Sequence, residues 1–223
     1  MGSKIKLTAS DGHEFAAYVS EPKTPFRSAI VVIQEIFGVN SHIRSVVDDY
    51  AGQGFYAIAP ALFDRVQPDL ELKYDQPDIA RGRDAAGQIK LDTALLDVTA
   101  AIQNAGQVPG VATLGVLGFC WGGTLAWLAA TRLNPAAAVG YYGGQIAKHA
   151  SEIPRCPVLL HFGAKDAHIG PEEIATIKQA HPDLPIFIYD AGHGFNCDQR
   201  KDYDRPSAFL ARQRTLDFFR AHL

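Results

Sequence analysis

Apolar residues along this chain fall into two rhythms, short unbroken runs and spaced recurrences. The unbroken runs are strand-sized: Ala29 to Gln34, Phe55 to Pro60, Ala112 to Gly118, Ala136 to Tyr142, Val158 to Gly163 and Ile186 to Tyr189. Runs of that length with β-branched residues suit strands buried on both faces. Between them the spacing turns helical. Ile43, Val46, Val47 and Tyr50 follow Asn40-Ser41, an N-cap signal, and stop at Gly52 and Gly54. Leu91, Leu95, Val98 and Ile102 mark a second helix, Trp121 to Arg132 a third, and Pro171 opens a fourth. Phe209, Leu216 and Phe219 place one side of a C-terminal helix against the core. At the start, Lys4 to Ala9 and Glu14 to Ser20 flank Asp11-Gly12 and predict a hairpin. Phe63 to Asp84 is rich in charge and proline and reads as a loop or cap over the sheet edge. Strands alternating with helices imply an α/β fold, with a mostly parallel sheet covered on both faces.

Bulk properties narrow this further. A chain of 223 residues with 47% hydrophobic content fits one domain over residues 1–223. A formal charge of −3 gives no electrostatic case for nucleic acid or anionic membranes. No apolar run approaches the roughly 20 residues of a membrane span. The first residues lack the apolar core of a signal peptide. Three widely spaced cysteines form neither a disulfide framework nor a metal-ligand pattern. The expectation is a cytoplasmic protein without metal or cofactor, acting on a small molecule as a monomer or small homo-oligomer.

The sharpest chemical signal is Gly118-Phe119-Cys120-Trp121-Gly122, between an apolar strand and an Ala- and Leu-rich helix. It is the nucleophile-elbow pattern of α/β-hydrolases, with cysteine in the serine position. Small residues on both sides of the turn allow a strained central residue to point its side chain outward. The thiol then sits at a strand's carboxyl end and at a helix N-terminus, where the dipole favours thiolate.

Such an elbow calls for an acid and then a histidine, in that order along the chain. Asp166 follows the strand ending at His161-Phe-Gly, and His193 follows the strand ending at Tyr189. His193 is the base and Asp166 its orienter. His168 is the rival for a site role, and His161 reads as a core residue. Asp190 suits a turn, and Asp198 has no strand-end setting. His13, His42, His149, His181 and His222 read as surface or helix-end positions. Glu35 ends a buried strand at the same edge, where a carboxylate must find partners. It suits either a salt-bridged structural role or a partnership with Cys120 that opposes thiolate formation. Backbone N–H groups of Ile36 and Trp121 are placed to receive an oxyanion.

Taken together, these blocks resemble the dienelactone hydrolase (carboxymethylenebutenolidase) family over nearly the whole chain. The resemblance rests on Gln34 to Asn40, Gly118 to Gly123, Val139 to Gly143, Gly163 to Asp166 and Ala191 to Phe195. It implies a metal-independent Cys-His-Asp hydrolase of α/β-hydrolase fold, with Glu35 gating Cys120 and a thioacyl intermediate resolved by water. It also implies substrate-binding residues: Arg81 or Arg83, together with Tyr142. A further family arginine would fall at position 197, where this chain has Cys197, so Arg200 or Arg205 from the same loop is the candidate replacement. An ester or thioester without a negative charge is the alternative substrate. A catalytically idle binding protein is the alternative outside enzymology, and redox sensing by Cys120 with Cys156 or Cys197 lacks a C-x-x-C pair.

Overall fold

A computed structural model describes residues 2–223. The N-terminal hairpin pairs β1 (Ser3–Thr8) antiparallel with β2 (Glu14–Ser20) around Gly12, whose φ of 86° only glycine adopts without strain. The six remaining strands are β3 (Ser28–Ile33), β4 (Tyr56–Pro60), β5 (Thr113–Phe119), β6 (Ala137–Tyr141), β7 (Val158–Gly163) and β8 (Ile186–Tyr189). They form one eight-stranded sheet in the order β1-β2-β4-β3-β5-β6-β7-β8. The hairpin joins it through an antiparallel β2–β4 pairing, and every ladder from β4 to β8 is parallel. Both faces of β4, β6 and β7 are buried, which is why their sequences run apolar without alternation.

Two helical layers cover the sheet. On one side α1 (Ser41–Gly52) meets the C-terminal helix, with Tyr50 edge-on to Phe219 and Arg212 paired to Asp49 at 2.7 Å. Asn40 caps α1 as its sequence suggests, accepting from the Ile43 N–H. Between them along the chain come α2 (Gln76–Gln88), α3 (Leu91–Gly106), α4 (Trp121–Arg132) and α5 (Pro171–Ala180), and α6 (Arg205–His222) closes the chain. Helices α3 and α4 pack on each other as well as on the central strands. No helix among the described residues is long and apolar enough to cross a membrane.

Two expectations change here. The segment expected as a loop or cap, Phe63 to Asp84, holds most of α2, which begins at an Asp75 cap accepting from the Asp78 N–H and carries proline in its first turn. It buries only Gly82 and Ala85, so its sequence has almost no apolar period to betray it. In α6 the inward stripe is Ala208, Ala211, Thr215, Leu216 and Phe219, whereas Phe209 is 64% exposed. Small residues make the contact at that end, so the large apolar side chain is not the one facing the core.

Candidate active site

The loops that follow β3, β5, β7 and β8 converge at the sheet's carboxyl edge, and each delivers one chemical group. After β5 the chain turns sharply into α4 at Cys120, whose φ of 55° and ψ of −117° lie where non-glycine residues are strained. Such a residue costs on the order of 1–3 kcal/mol and persists because its surroundings hold it. Here the Cys120 N–H donates to the Tyr141 carbonyl at 2.9 Å. The turn also demands its glycines. A Cβ at Gly118 would overlap the Gly122 carbonyl, and one at Gly122 would overlap the carbonyls of Ile33 and Gln34. Trp121 opens α4, so its N–H lies among those a helix cannot satisfy internally.

His193, after β8, faces the thiol. Its Nε2 lies 3.1 Å from Cys120 Sγ, and its Nδ1 lies 2.7 Å from Asp166 Oδ2. The other Asp166 oxygen accepts from the backbone N–H groups of His168 (2.8 Å) and Ile169 (3.2 Å). Burial works against an ionised Asp166, but the His193 contact and these amides outweigh it and hold the carboxyl below its usual range. Burial likewise opposes charge on His193. The sulfur of Cys120 and the Asp166 hydrogen bond reverse that and push it up to about 10. The arrangement therefore favours imidazolium beside sulfur.

Glu35 leaves β3 into a buried turn. Gln34 braces that turn, accepting from Leu62 N–H and donating to the Glu35 carbonyl. The carboxylate is 1% exposed; its Oε1 takes a 3.3 Å contact from Arg200, and Oε2 has no hydrogen-bond partner. Burial disfavours the Arg200 charge, yet Glu35 opposite more than offsets it, so the guanidinium stays protonated. Glu35 thus pairs with a cation that only the folded loop brings to it.

These groups open onto a cavity of about 670 Å³. Cys120 and His193 line its floor with Ile36 and Trp121. Helix α2 forms a wall through Gln76, Ile79, Arg83 and Ala86. Arg200, Lys201, Asp202 and His168 reach it from the loops after β8 and β7, and burial lowers His168, so the cations of its lining are Arg83, Arg200 and Lys201 against the one carboxylate of Asp202. Among the sequence candidates for substrate contact, Arg83 lines the cavity, while Arg81 points outward and donates to Gln67. Tyr142 is fully buried, with a φ of 38°, and packs 5.1 Å from the His193 ring. Arg205 lines a different surface groove.

The remaining histidines divide. His161 is a core residue, bonded to Tyr189 Oη at 2.9 Å and Thr215 Oγ1 at 3.0 Å, and burial drops it to about 3. His168, the rival for a site role, stands edge-on to His193 at 5.2 Å and lines the cavity. His42, expected at the surface or a helix end, stands in the first turn of α1 but is buried and contacts Asp198 at 3.2 Å. The fold also gathers His42, Cys197 and Asp198 within 4.8 Å of one another, a cluster of metal-ligating types that linear spacing hid. Asp190, read as a turn residue, pairs with Lys165 at 2.8 Å on the surface.

The model of the dienelactone hydrolase family matches residues 15–223. The chain belongs to the dienelactone hydrolase family. Its relatives include the carboxymethylenebutenolidase of Pseudomonas putida, 34% identical over 96% of this chain and 94% of that protein. Carboxymethylenebutenolidase 1 of Cupriavidus pinatubonensis is 31% identical with the same coverage, 96% and 94%. In structure, a provisionally named dienelactone hydrolase from Klebsiella pneumoniae superposes with a TM-score of 0.84 at 33% identity, covering 97% of this chain and 98% of its own. Family membership makes the chain a hydrolase, the superposition bears out the α/β-hydrolase fold, and the expected hairpin is seen in the β1–β2 pairing.

Proposed function

We propose that this hydrolase cleaves a small lactone or ester by covalent catalysis at Cys120. The reading rests on one observation above all: a single imidazole bridges Cys120 Sγ at 3.1 Å and Asp166 at 2.7 Å on the floor of the cavity. The thiolate attacks the acyl carbon, and the oxyanion that forms lies within reach of the Ile36 and Trp121 N–H groups. The tetrahedral intermediate collapses, the C–O bond breaks, and the leaving alkoxide takes the proton held on His193. For a lactone this alkoxide stays tethered to the acyl group. Neutral His193 then removes a proton from water, whose hydroxide attacks the thioacyl carbon; thiolate leaves, and a carboxylic acid is released. Net, one water is added across the ester. Asp166 keeps the imidazole oriented through both steps.

Glu35 acts as the gate in this scheme, with Arg200 as its counterion. In the resting site Arg200 offsets the Glu35 charge only in part, through one 3.3 Å contact, so the carboxylate still opposes negative charge on the sulfur; a substrate that displaces it lifts that opposition. Arg83, Arg200 and Lys201 at the mouth suit a substrate carrying a carboxylate, with Arg83 the freer of the two cavity arginines. Tyr142 supports the site from behind, against the His193 ring, and Arg81, turned to Gln67, takes no part in this reading. A non-acidic ester is the second reading, favoured because Arg200 is already engaged by Glu35. Free cysteines throughout suit a reducing cytoplasm, where a nucleophilic thiol survives.

Turnover of p-nitrophenyl acetate and of a carboxylated dienelactone, compared in wild type and Cys120→Ala, tests this. The variant should lose roughly 10³-fold or more of kcat/KM on both substrates. Arg83→Gln should raise KM for the lactone and leave the acetate unchanged if the substrate is anionic. Equal turnover in wild type and Cys120→Ala would remove the thiol from the mechanism.

A further inference from the structure

We propose that His42, Cys197 and Asp198 form a binding site for a divalent transition metal, with Zn²⁺ as its probe, distinct from the Cys120 cavity. One ligand atom from each residue lies within 4.8 Å of the other two. The donor set is one nitrogen, one sulfur and one oxygen, each an established Zn²⁺ ligand.

The three residues come from rigid surroundings. His42 sits in the first turn of α1, behind the Asn40 cap. Cys197 and Asp198 are consecutive in the turn between His193 and α6, which is pinned by Cys197 N–H on Gly194 O, Arg200 N–H on Cys197 O and Asp204 N–H on Phe195 O. The His42 side chain is 5% exposed. One ring nitrogen, Nδ1, meets Asp198, and the other, Nε2, is buried without any hydrogen-bond partner. The contact with Asp198 leaves that second nitrogen orphaned, while the buried sulfur beside it meets Tyr74 and the Gln199 N–H. A buried polar atom left unpaired is uncommon, and a bound ion is one of the few things that satisfies it.

Access and geometry both fit. A groove of about 280 Å³ runs to His42 and Asp198 past Asn196 and Tyr203, and it shares no lining residue with the Cys120 cavity. Tetrahedral Zn²⁺ holds its ligand atoms about 3.4–3.6 Å apart; His42 and Asp198 already meet at 3.2 Å, and side-chain rotation that brings the Cys197 sulfur to that spacing completes the set. Three protein ligands leave the fourth position to water from the groove. On binding, the Cys197 S–H bond breaks, a sulfur–metal bond forms and the proton passes to solvent. Without metal the thiol stays protonated: burial first, then the Glu35 charge, pushes it up to about 12.

The test uses the whole reduced protein, titrated with Co²⁺ and followed by thiolate-to-cobalt charge-transfer absorption, with Zn²⁺ calorimetry alongside. Cys120→Ala removes the catalytic thiol as a competing ligand. One equivalent of Co²⁺ with the charge-transfer band in Cys120→Ala, and loss of that band when Cys197→Ser is added, supports the site. Asp198→Asn changes a side chain 66% exposed, so the variant folds; its affinity should fall at least about tenfold. No charge-transfer band in Cys120→Ala overturns the proposal. So does a band that survives Cys197→Ser, or an affinity indifferent to Asp198→Asn.

Discussion

At the residue scale, three cysteines in one chain are set to very different reactivities. Burial raises Cys156 to about 11 and Cys197 to about 12, so both remain thiols near neutrality. Cys120 alone faces an imidazole that stays protonated up to about 10. Iodoacetamide at about pH 7 should therefore label Cys120 alone, one equivalent per chain, as peptide mass analysis would show. His193→Gln should slow that labelling at least about tenfold at neutral pH. The difference should vanish above about pH 10, where His193 in the wild type loses its proton. Glu35→Gln should label faster than wild type, because the carboxylate opposes negative charge on sulfur; equal rates would end the gating role. The elbow was readable beforehand because its glycines are sterically required, and a steric requirement leaves its mark in sequence. Arg200 left none. Its pairing with Glu35 depends on how the loop after β8 folds, which position counting from His193 does not reveal.

At the scale of elements, most of the architecture follows from burial, which writes continuous apolar runs into β3 to β7 and a cap at Asn40. Helix α2 shows where that legibility stops. It packs chiefly through Gly82, where an added Cβ would overlap the Ile36 carbonyl. Contact by backbone alone needs no large apolar residue, so the hydrophobic period is missing. The same contact ties the cavity wall to Ile36, the residue whose N–H is proposed to receive the oxyanion. Gly82→Ala would gain about 1 kcal/mol in helix propensity. It must also displace either α2 or Ile36, and a misplacement of about 1 Å near reacting atoms costs on the order of 10²-fold. The expected outcome is a loss of kcat/KM of at least about tenfold with little change in urea midpoint. Unchanged kinetics would show that the oxyanion peptide is independent of α2.

At the scale of the whole molecule, acid stability should centre on His161. The folded protein keeps it neutral, with burial and then Arg214 lowering it to about 3, whereas its ordinary value is 6.5. A group depressed in this way contributes stability that is complete above 6.5 and is lost as pH falls towards 3. The loss approaches roughly 1.4 kcal/mol per pH unit within that window. Urea unfolding from about pH 7 to about pH 4 should show this slope, and His161→Gln should flatten it. A variant with the wild-type slope would assign the acid sensitivity to other groups.

The placement of the proposed catalytic residues on four different strand ends has a consequence for how the enzyme comes into being. Glu35, Cys120, Asp166 and His193 follow β3, β5, β7 and β8, and the last of these strands pairs only with β7. Parallel neighbours are joined by crossovers, so each pairing closes a long loop before it is rewarded. No partly folded chain lacking β8 can bring His193 to Cys120. During refolding or synthesis, the recovery of turnover would trail the recovery of helix content and mark the moment when the sheet is complete.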